Sequence, residues 1–133
     1  MFQSTKTYGH ERGLSCAFRQ HKATSHCSKV HGYALSFKIV FETDVLDDRN
    51  WVIDFGGLKR LETRIKAMFD HKLAVATDDP EIEFFRIMES NGLCSLSELE
   101  AVGCEAFAHA VYEMAVMTVL DLGQWPRVSV ASV

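Results

Sequence analysis

The chain has 133 residues, 47% of them apolar and 24% charged, a balance typical of one globular, soluble domain with a single core. Its net charge of −4 and the lack of any Lys/Arg run argue against a nucleic-acid-binding surface. No apolar run is long enough to span a bilayer, and no signal-peptide pattern opens the chain. We therefore expect a cytoplasmic protein that does not bind membranes and whose four cysteines stay reduced.

The first predicted strand ends near residue 19 and is followed by a polar loop over residues 20–28. Cys16 and Phe18 are two residues apart in that strand and are expected on one face. The loop carries Cys27, four residues before His31. A thiol and an imidazole at the mouth of a strand suit a metal site or acid–base chemistry, although buried structural Cys and His are more common.

The clearest strand covers residues 33–42, where apolar and polar side chains alternate. His31 shares the parity of the apolar positions, so we expect its ring on the apolar face. A turn-rich connection over residues 43–50 leads to a predicted short strand over residues 51–55. Asp54 in that segment is placed to cap the helix that follows.

The second half of the chain is mostly helical in pattern. Apolar side chains at helical spacing predict three helices, over residues 58–69, 81–91 and 105–120. Residues 95–103 fit no single pattern, and residues 128–133 alternate as a final strand. This order of elements indicates the α+β class and a single domain over residues 1–133.

Asp70 and Glu105 are the two carboxylates with a candidate chemical role. Asp70 precedes His71 at the end of the first helix, and a carboxylate beside an imidazole can orient it and raise its basicity. A histidine near the last turn of a helix is equally an ordinary helix terminus. Glu105 opens the last helix, where an acid is common, although a buried one could grip an aminopyrimidine ring through paired hydrogen bonds.

Four side chains could converge on a metal ion: Cys16, His26, Cys27 and His31. Zinc takes such ligands from different elements, and catalytic zinc sites usually use three protein ligands. The sequence has no close-spaced zinc motif, so spacing alone favours the absence of a metal site.

Taken together and in order, these segments resemble the 6-pyruvoyltetrahydropterin synthase family, most closely its bacterial 6-carboxytetrahydropterin synthase branch. The matching pieces are Cys27-x-x-x-His31-Gly32, Trp51-Val52-Ile53-Asp54-Phe55-x-x-Leu58-Lys59, Phe69-Asp70-His71-x-Leu73 and the segment at Glu105. The resemblance runs from about Leu14 to the end of the chain, and the compact Cys-x-x-x-His spacing is similar to that of the carboxy-forming branch. It implies the T-fold (tunnelling fold), an antiparallel sheet with helices packed on one face. Subunits of that fold pair their sheets into a barrel, with sites between subunits.

The resemblance also implies an activity. Family members act on 7,8-dihydroneopterin triphosphate, and the carboxy-forming branch is a lyase of 7-deazaguanine (queuosine-type) biosynthesis that eliminates triphosphate and releases acetaldehyde. By this resemblance the Cys27 thiolate transfers a proton, Asp70 and His71 form its partner dyad, and Glu105 binds the pterin. The expected protein is a homo-oligomeric enzyme of the cytoplasm with a small pterin substrate.

Zinc is the cofactor that the resemblance implies, because it would polarise the side-chain hydroxyls of the substrate. The family binds it through a histidine late in the first strand and both histidines of a His-Gly-His. Here those positions are Phe18, His31 and Tyr33. Only His31 remains, and one imidazole does not hold catalytic zinc tightly. Cys16 or His26 could supply a replacement ligand.

Two further departures keep other functions open. The Pro-Thr that usually precedes the last-helix glutamate reads Val102-Gly103, and the family's pterin-anchoring glutamate would lie beyond Val133. We therefore expect either a shortened chain or loss of that anchor. The alternatives are a zinc-less, non-catalytic pterin- or purine-binding homologue and a pterin enzyme with altered metal dependence. Rings of Phe18 and Tyr33 packed together would favour the former, because they would fill the space of the metal.

Overall fold

The computed structural model describes all 133 residues and contains seven strands and three α-helices. The strands are β1 (Phe2–Tyr8), β2 (Ser15–Phe18), β3 (His31–Ala34), β4 (Phe37–Thr43), β5 (Lys72–Ala76), β6 (Leu96–Leu99) and β7 (Ser129–Ser132). The helices are α1 (Lys59–Phe69), α2 (Ile82–Ser90) and α3 (Cys104–Asp121). This mixture confirms the predicted α+β class. None of the three helices combines the length and the apolar content that crossing a bilayer requires.

The strands form two sheets, one in each of the two compact units of the chain. The first unit consists of Met1–Gly9, Ser36–Ile65 and Ala108–Val133, and its three strands form the antiparallel sheet β1-β4-β7. The second unit consists of His10–Leu35 and Lys66–Phe107 and contains the sheet β3-β2-β5-β6. In that sheet β2 runs parallel to β5 and β5 runs parallel to β6, so the predicted antiparallel pairing holds there only between β2 and β3.

In the first unit, burial follows the alternation of side chains along β4. Phe37, Ile39 and Phe41 are buried, as a strand with one face on a core requires. β1 pairs with β4 along its whole length, from Phe2 opposite Thr43 onward, and its other edge has no strand beside it. The polar sequence of β1 fits an edge strand, and for that reason the hydrophobic pattern did not predict it.

The predicted strand over residues 33–42 is in fact two strands in two different sheets. β3 pairs with β2, whereas β4 begins at Phe37 and pairs with β1 and β7. Because the chain changes sheets between them, a shared parity does not give a shared face: Tyr33 is 49% exposed while Phe37 is buried. The prediction that His31 shares one strand face with Phe37, Ile39 and Phe41 is therefore wrong, and its ring lies against the buried Phe18 instead.

The segment over residues 51–55 is not the predicted strand. It leads into a 3-10 turn, Phe55–Leu58, that continues directly into α1. Asp54 caps this turn by accepting the backbone N–H of Gly56 at 2.8 Å, which confirms the predicted cap. The strand pattern failed here because Trp51 and Phe55 are both more than 40% exposed and pack as loop residues.

The helices confirm their predicted positions to within a few residues at each end. On α1 the buried side chains Leu61, Ile65 and Phe69 are four residues apart, which places them on one face. On α2, Phe85 is buried in a cluster with Leu73 and Val75 of β5. The second unit therefore has an apolar core under β5, and the residues that flank β2 and β5 carry the candidate chemistry.

Candidate active site

The end of α1 brings Asp70 and His71 together as a hydrogen-bonded pair. Nδ1 of His71 donates to Oδ1 of Asp70 at 2.8 Å, and the same oxygen accepts the backbone N–H of Ser15 at 3.3 Å. Because an ionised carboxylate only accepts, the imidazole carries a proton on Nδ1 and leaves Nε2 for chemistry. The His71 side chain is 82% exposed, so a substrate can reach that nitrogen.

The surroundings of Asp70 favour its charged form. Partial desolvation raises the pKa of this carboxyl, but the hydrogen bonds from His71 and Ser15 and the positive charge of Lys66 together hold the pKa below its usual value. Asp70 is therefore ionised at neutral pH. A fixed negative charge beside the imidazole stabilises the positive charge that His71 gains when it accepts a proton.

The backbone of His71 is held in a conformation that few residues adopt. Its φ of 55° lies in the left-handed region, which is uncommon for a residue other than glycine. The backbone N–H of His71 donates to the carbonyl of Ser15 at 2.7 Å, which fixes this conformation. Such strain costs roughly 1–3 kcal/mol and clusters at functional sites. Helices commonly end with a residue in this conformation, so the backbone of His71 fits the end of α1 and also fixes where its ring lies.

Cys27 lies in a separate, well-defined turn. It is the middle residue of a 3-10 turn, His26–Ser28, which Ser25 caps by accepting the backbone N–H of Cys27 at 3.3 Å. The carbonyl of Cys27 accepts the backbone N–H of Gln20 at 2.8 Å, which closes the loop after β2. Its side chain is partly exposed, so the thiol is positioned by the backbone and remains accessible.

The predicted catalytic residues are attached to opposite ends of β2. Asp70 and His71 are hydrogen-bonded to Ser15 at the start of the strand, whereas Cys27 is hydrogen-bonded to Gln20 just past its end. A strand advances about 3.3 Å per residue, so these attachment points are at least roughly 10 Å apart. The structure therefore brings Asp70 and His71 together and keeps the backbone of Cys27 away from them within one chain.

Rings occupy the positions at which the zinc ligands are expected. β2 and β3 place Phe18 opposite His31, with ring centroids 5.1 Å apart. The Tyr33 ring lies 5.4 Å from that of Phe18 and 5.1 Å from that of His31. Phe18 is buried and also packs edge-on against Phe107, with centroids 5.0 Å apart. Phe18, His31 and Tyr33 are called the aromatic cluster below.

The residues of the aromatic cluster do not fit a zinc site within the chain. Nδ1 of His31 donates to the carbonyl of Lys29 at 2.6 Å, which leaves one imidazole nitrogen at this place. Nowhere in the chain do three or more His, Cys, Asp or Glu side chains come together as a group that could hold a metal ion. Neither Cys16 nor His26 therefore completes a three-ligand set with His31.

Cys16, one of the two proposed replacement ligands, is a buried residue of β2 that pairs with Tyr33 of β3. Burial raises the pKa of its thiol from 9.0 to about 11, and a hydrogen bond with the backbone of Ala74 offsets only part of that effect. A buried thiol with a raised pKa is a poor nucleophile. Cys16 is a structural residue in this setting.

Glu105 lies in the first turn of α3, where the helix N-terminus favours a carboxylate, and its side chain is exposed. The segment before it is tied to the end of β2, because Nε2 of Gln20 donates to the carbonyl of Val102 at 3.1 Å. Glu105 thus belongs to the same end of β2 as Cys27 and His31. Gln20 was not predicted as a site residue, because a polar loop residue carries no pattern that marks it.

An ion pair that the sequence did not reveal fixes the Cys27 turn. Arg19 donates to both oxygens of Asp79, at 2.8 and 2.7 Å, and to the carbonyl of Ser28 at 3.3 Å. The Asp79 side chain is 1% exposed, and it also accepts the backbone N–H of Glu81 at the start of α2. The hydrogen bonds from Arg19 hold the pKa of Asp79 below its usual value. Sixty residues of sequence separate the partners, so no local motif could predict them.

No predicted site residue lines the apolar groove of the first unit. This groove has a volume of about 520 Å³, and Phe2, Trp51 and Phe55 are among the residues that line it. All five predicted site residues belong to the second unit instead.

Comparison with known proteins identifies the family. The sequence model of the family described as 6-pyruvoyl tetrahydropterin synthase matches residues 9–133. Among solved structures, the fold is similar to that of the uncharacterized protein WS1659 from Wolinella succinogenes, with a TM-score of 0.78 and 19% sequence identity. That similarity covers 98% of this chain and 89% of the other, and at this identity it shows the fold alone. A search of curated proteins found no match.

Proposed function

Because the chain belongs to the 6-pyruvoyl tetrahydropterin synthase family, a family of pterin-metabolising tunnelling-fold enzymes, we propose that it is a lyase acting on 7,8-dihydroneopterin triphosphate. Within the family we assign it to the 6-carboxytetrahydropterin synthase type, of the 7-deazaguanine (queuosine-type) route. The observation that carries this proposal is the intact Asp70–His71 pair, hydrogen-bonded at 2.8 Å and held in a strained backbone. A chain that only bound a pterin would have no need of an oriented, exposed base.

The residues divide the reaction between them. Cys27, as a thiolate, takes a carbon-bound proton from the substrate side chain, and Nε2 of His71 exchanges a proton with the substrate from the opposite side. Asp70 holds the imidazole in place and stabilises its charge. Triphosphate then leaves with its phosphoryl oxygens intact, and in the carboxy-forming reaction a water molecule adds to the remaining side chain as its carbon–carbon bond breaks and acetaldehyde is released. Glu105 accepts hydrogen bonds from the pterin ring.

The separation of Cys27 from the dyad supports sites between copies of the chain. Within one chain they are attached to opposite ends of β2, too far apart to act on one carbon atom of a substrate. In a homo-oligomer, the Cys27 turn of one copy can meet Asp70 and His71 of another. The unpaired edge of β1 offers the kind of surface through which such copies join their sheets.

Mass spectrometry of products tests this proposal. Purified protein is incubated with 7,8-dihydroneopterin triphosphate, alongside Cys27→Ala and His71→Ala variants. We expect carboxytetrahydropterin and acetaldehyde from the wild type and from a mixture of the two variants co-refolded together, but from neither variant alone. Unchanged substrate with well-folded wild type would contradict the lyase, and activity that never returns in the mixture would contradict shared sites.

The aromatic cluster favours a second candidate, a zinc-less pterin- or purine-binding homologue without catalysis. Phe18 and Tyr33 have ring centroids 5.4 Å apart, so their rings fill space that a metal and its ligands would otherwise use. If this second candidate is correct, the protein binds a pterin or purine tightly and forms no product from any tested pterin. Zinc analysis separates it from the third candidate, a pterin enzyme with altered metal dependence, which would hold a metal and form a different product.

A further inference from the structure

Gln20 contacts two segments that meet at the Cys27 end of β2. Its backbone N–H donates to the carbonyl of Cys27 at 2.8 Å. Its side-chain Nε2 donates to the carbonyl of Val102 at 3.1 Å, two residues before α3 begins. A single half-buried residue thus joins the thiol turn to the segment that positions Glu105.

The amide of Gln20 occupies the space beside Gly103 that a side chain would need. A Cβ added at Gly103 would lie 2.3 Å from Nε2 of Gln20 and 4.0 Å from Oε2 of Glu105. Gly103 also has a φ of +119°, a conformation that residues with side chains rarely adopt. The Gln20 amide and the Glu105 carboxylate therefore lie on the same side of Gly103, close enough to contact one ligand.

The hydrogen bond to Val102 fixes which group Gln20 offers. Because Nε2 is the donor in that bond, Oε1 is left as an acceptor, and no group of the chain donates to it. Glu105 is exposed and offers two more acceptor oxygens. The site thus presents acceptors from two different elements and complements a ligand edge rich in N–H donors.

Resting on the proposed function, we propose that Gln20 is a specificity-determining residue that, with Glu105, recognises the 2-amino edge of the pterin ring. That edge carries an amino group and a neighbouring ring N–H, which donate to Glu105 and to Oε1 of Gln20. A 2-oxo ring of the same shape places a carbonyl oxygen against these acceptors. The pair therefore admits 2-aminopyrimidinone rings and rejects their 2-oxo counterparts.

Equilibrium binding of neopterin and of the matching 2-oxo lumazine tests this role, with pterin fluorescence as the readout. Gln20→Met keeps the length of the side chain and removes its polar atoms. Gln124→Met is the matched control, because Gln124 also donates from Nε2 to a backbone carbonyl, that of Leu122. We expect wild type and control to prefer neopterin over lumazine. Gln20→Met is expected to lose about 10- to 100-fold in neopterin affinity with lumazine affinity nearly unchanged.

The outcomes separate this role from the proposed function. Equal losses for both rings would mean that Gln20 only supports the fold, and unchanged affinities would remove it from the site; either result overturns the inference and leaves the lyase standing. Wild-type protein that binds neither ring would contradict the proposed function and this role together. Thermal melting of Gln20→Met confirms that the variant is folded.

Discussion

The two ends of β2 differ in how much of an active site they carry. At the start of the strand, Asp70 and His71 form an ionised, hydrogen-bonded pair with an exposed imidazole nitrogen. At its end, Phe18 and Tyr33 pack around His31 where the family positions a metal. The start of β2 thus carries a carboxylate–imidazole pair, and its end carries a cluster of rings.

The Asp70–His71 pair and the aromatic cluster have separate contacts within the chain. The dyad depends on backbone contacts with Ser15, which Phe18, three residues further along the strand, does not touch. The exchange of ligands for rings can therefore leave the base intact. A ring cluster also stabilises its own surroundings, because buried aromatic pairs contribute roughly 0.5–1.5 kcal/mol beyond their buried area.

The substitution His71→Ala tests the role of the Asp70–His71 pair at the start of β2. Its effect should be the largest that we predict. Loss of a positioned base lowers the rate of product formation by about 10²- to 10⁴-fold. His109→Ala is the control, since His109 is an exposed histidine that faces a carboxylate, Glu113, at 3.4 Å. Steady-state assays of both variants check this, and equal effects of the two substitutions would contradict a special role for His71.

Two substitutions in the aromatic cluster should create a metal site at the end of β2. Phe18→His with Tyr33→His adds two imidazoles to His31, the three ligands that catalytic zinc takes. We expect zinc affinity to rise about a thousandfold over wild type, to one ion per chain. Metal analysis after dialysis measures it, with Phe18→His alone as the control. Wild-type protein that already retains one zinc through His31 would contradict the comparison.

The Cys27 turn depends on the buried ion pair behind it. Asp79→Asn leaves Arg19 without its bidentate partner and is expected to lower the free energy of unfolding by about 3 kcal/mol. Because folding lowers the pKa of Asp79, its contribution is present above pH 4 and is lost as the pH falls through the folded-state pKa.

Urea unfolding at several pH values measures this contribution. The variant curve should approach the wild-type curve as the pH falls from about 4 through the folded-state pKa, below which Asp79 is protonated in both states. Glu98→Gln breaks a more exposed ion pair, with Arg86, and should cost less than about 1 kcal/mol. A loss for Asp79→Asn no larger than that of this control would show that the pair does not hold the turn.

The difference in thiol reactivity between Cys16 and Cys104 is the smallest effect that we predict. The pKa of Cys16 is raised to about 11, so its thiolate fraction at pH 8 is about a hundredfold below that of an ordinary thiol. Cys104 is exposed and should react with iodoacetamide well before the buried Cys16, as peptide mass spectrometry would show. Labelling of Cys16 as fast as Cys104 in folded protein would contradict its burial.

Local signals in the sequence predicted the helices, whereas the resemblance to the family predicted the pairing of Asp70 with His71. The apolar stripe of α1 and the cap at Asp54 depend on neighbours in the chain, and Asp70 and His71 are adjacent. The predictions of strands and sheets that were wrong concern pairing between strands that are distant in the sequence. A period-2 pattern over residues 33–42 cannot show that the chain changes sheets, and nothing local shows that β2 and β5 run parallel.

The arrangement of the candidate site also depends on contacts between distant parts of the sequence. The sequence named Cys27, Asp70 and His71 together, but only the parallel pairing of β2 with β5 shows that one chain keeps them apart. The contacts of Gln20 and of Arg19 with Asp79 are equally long-range. The Phe18 and Tyr33 substitutions were visible in the sequence, whereas the packing of their rings required the structure.

The most direct test of metal-independent proton transfer is turnover of dihydroneopterin triphosphate by wild-type protein, once after exhaustive removal of zinc by a chelator and once with zinc restored. The proposal predicts the same carboxytetrahydropterin product at rates that agree within about twofold, because the Asp70–His71 pair needs no metal to hold its geometry. Product that forms only with zinc, and is lost in His31→Ala, would contradict it.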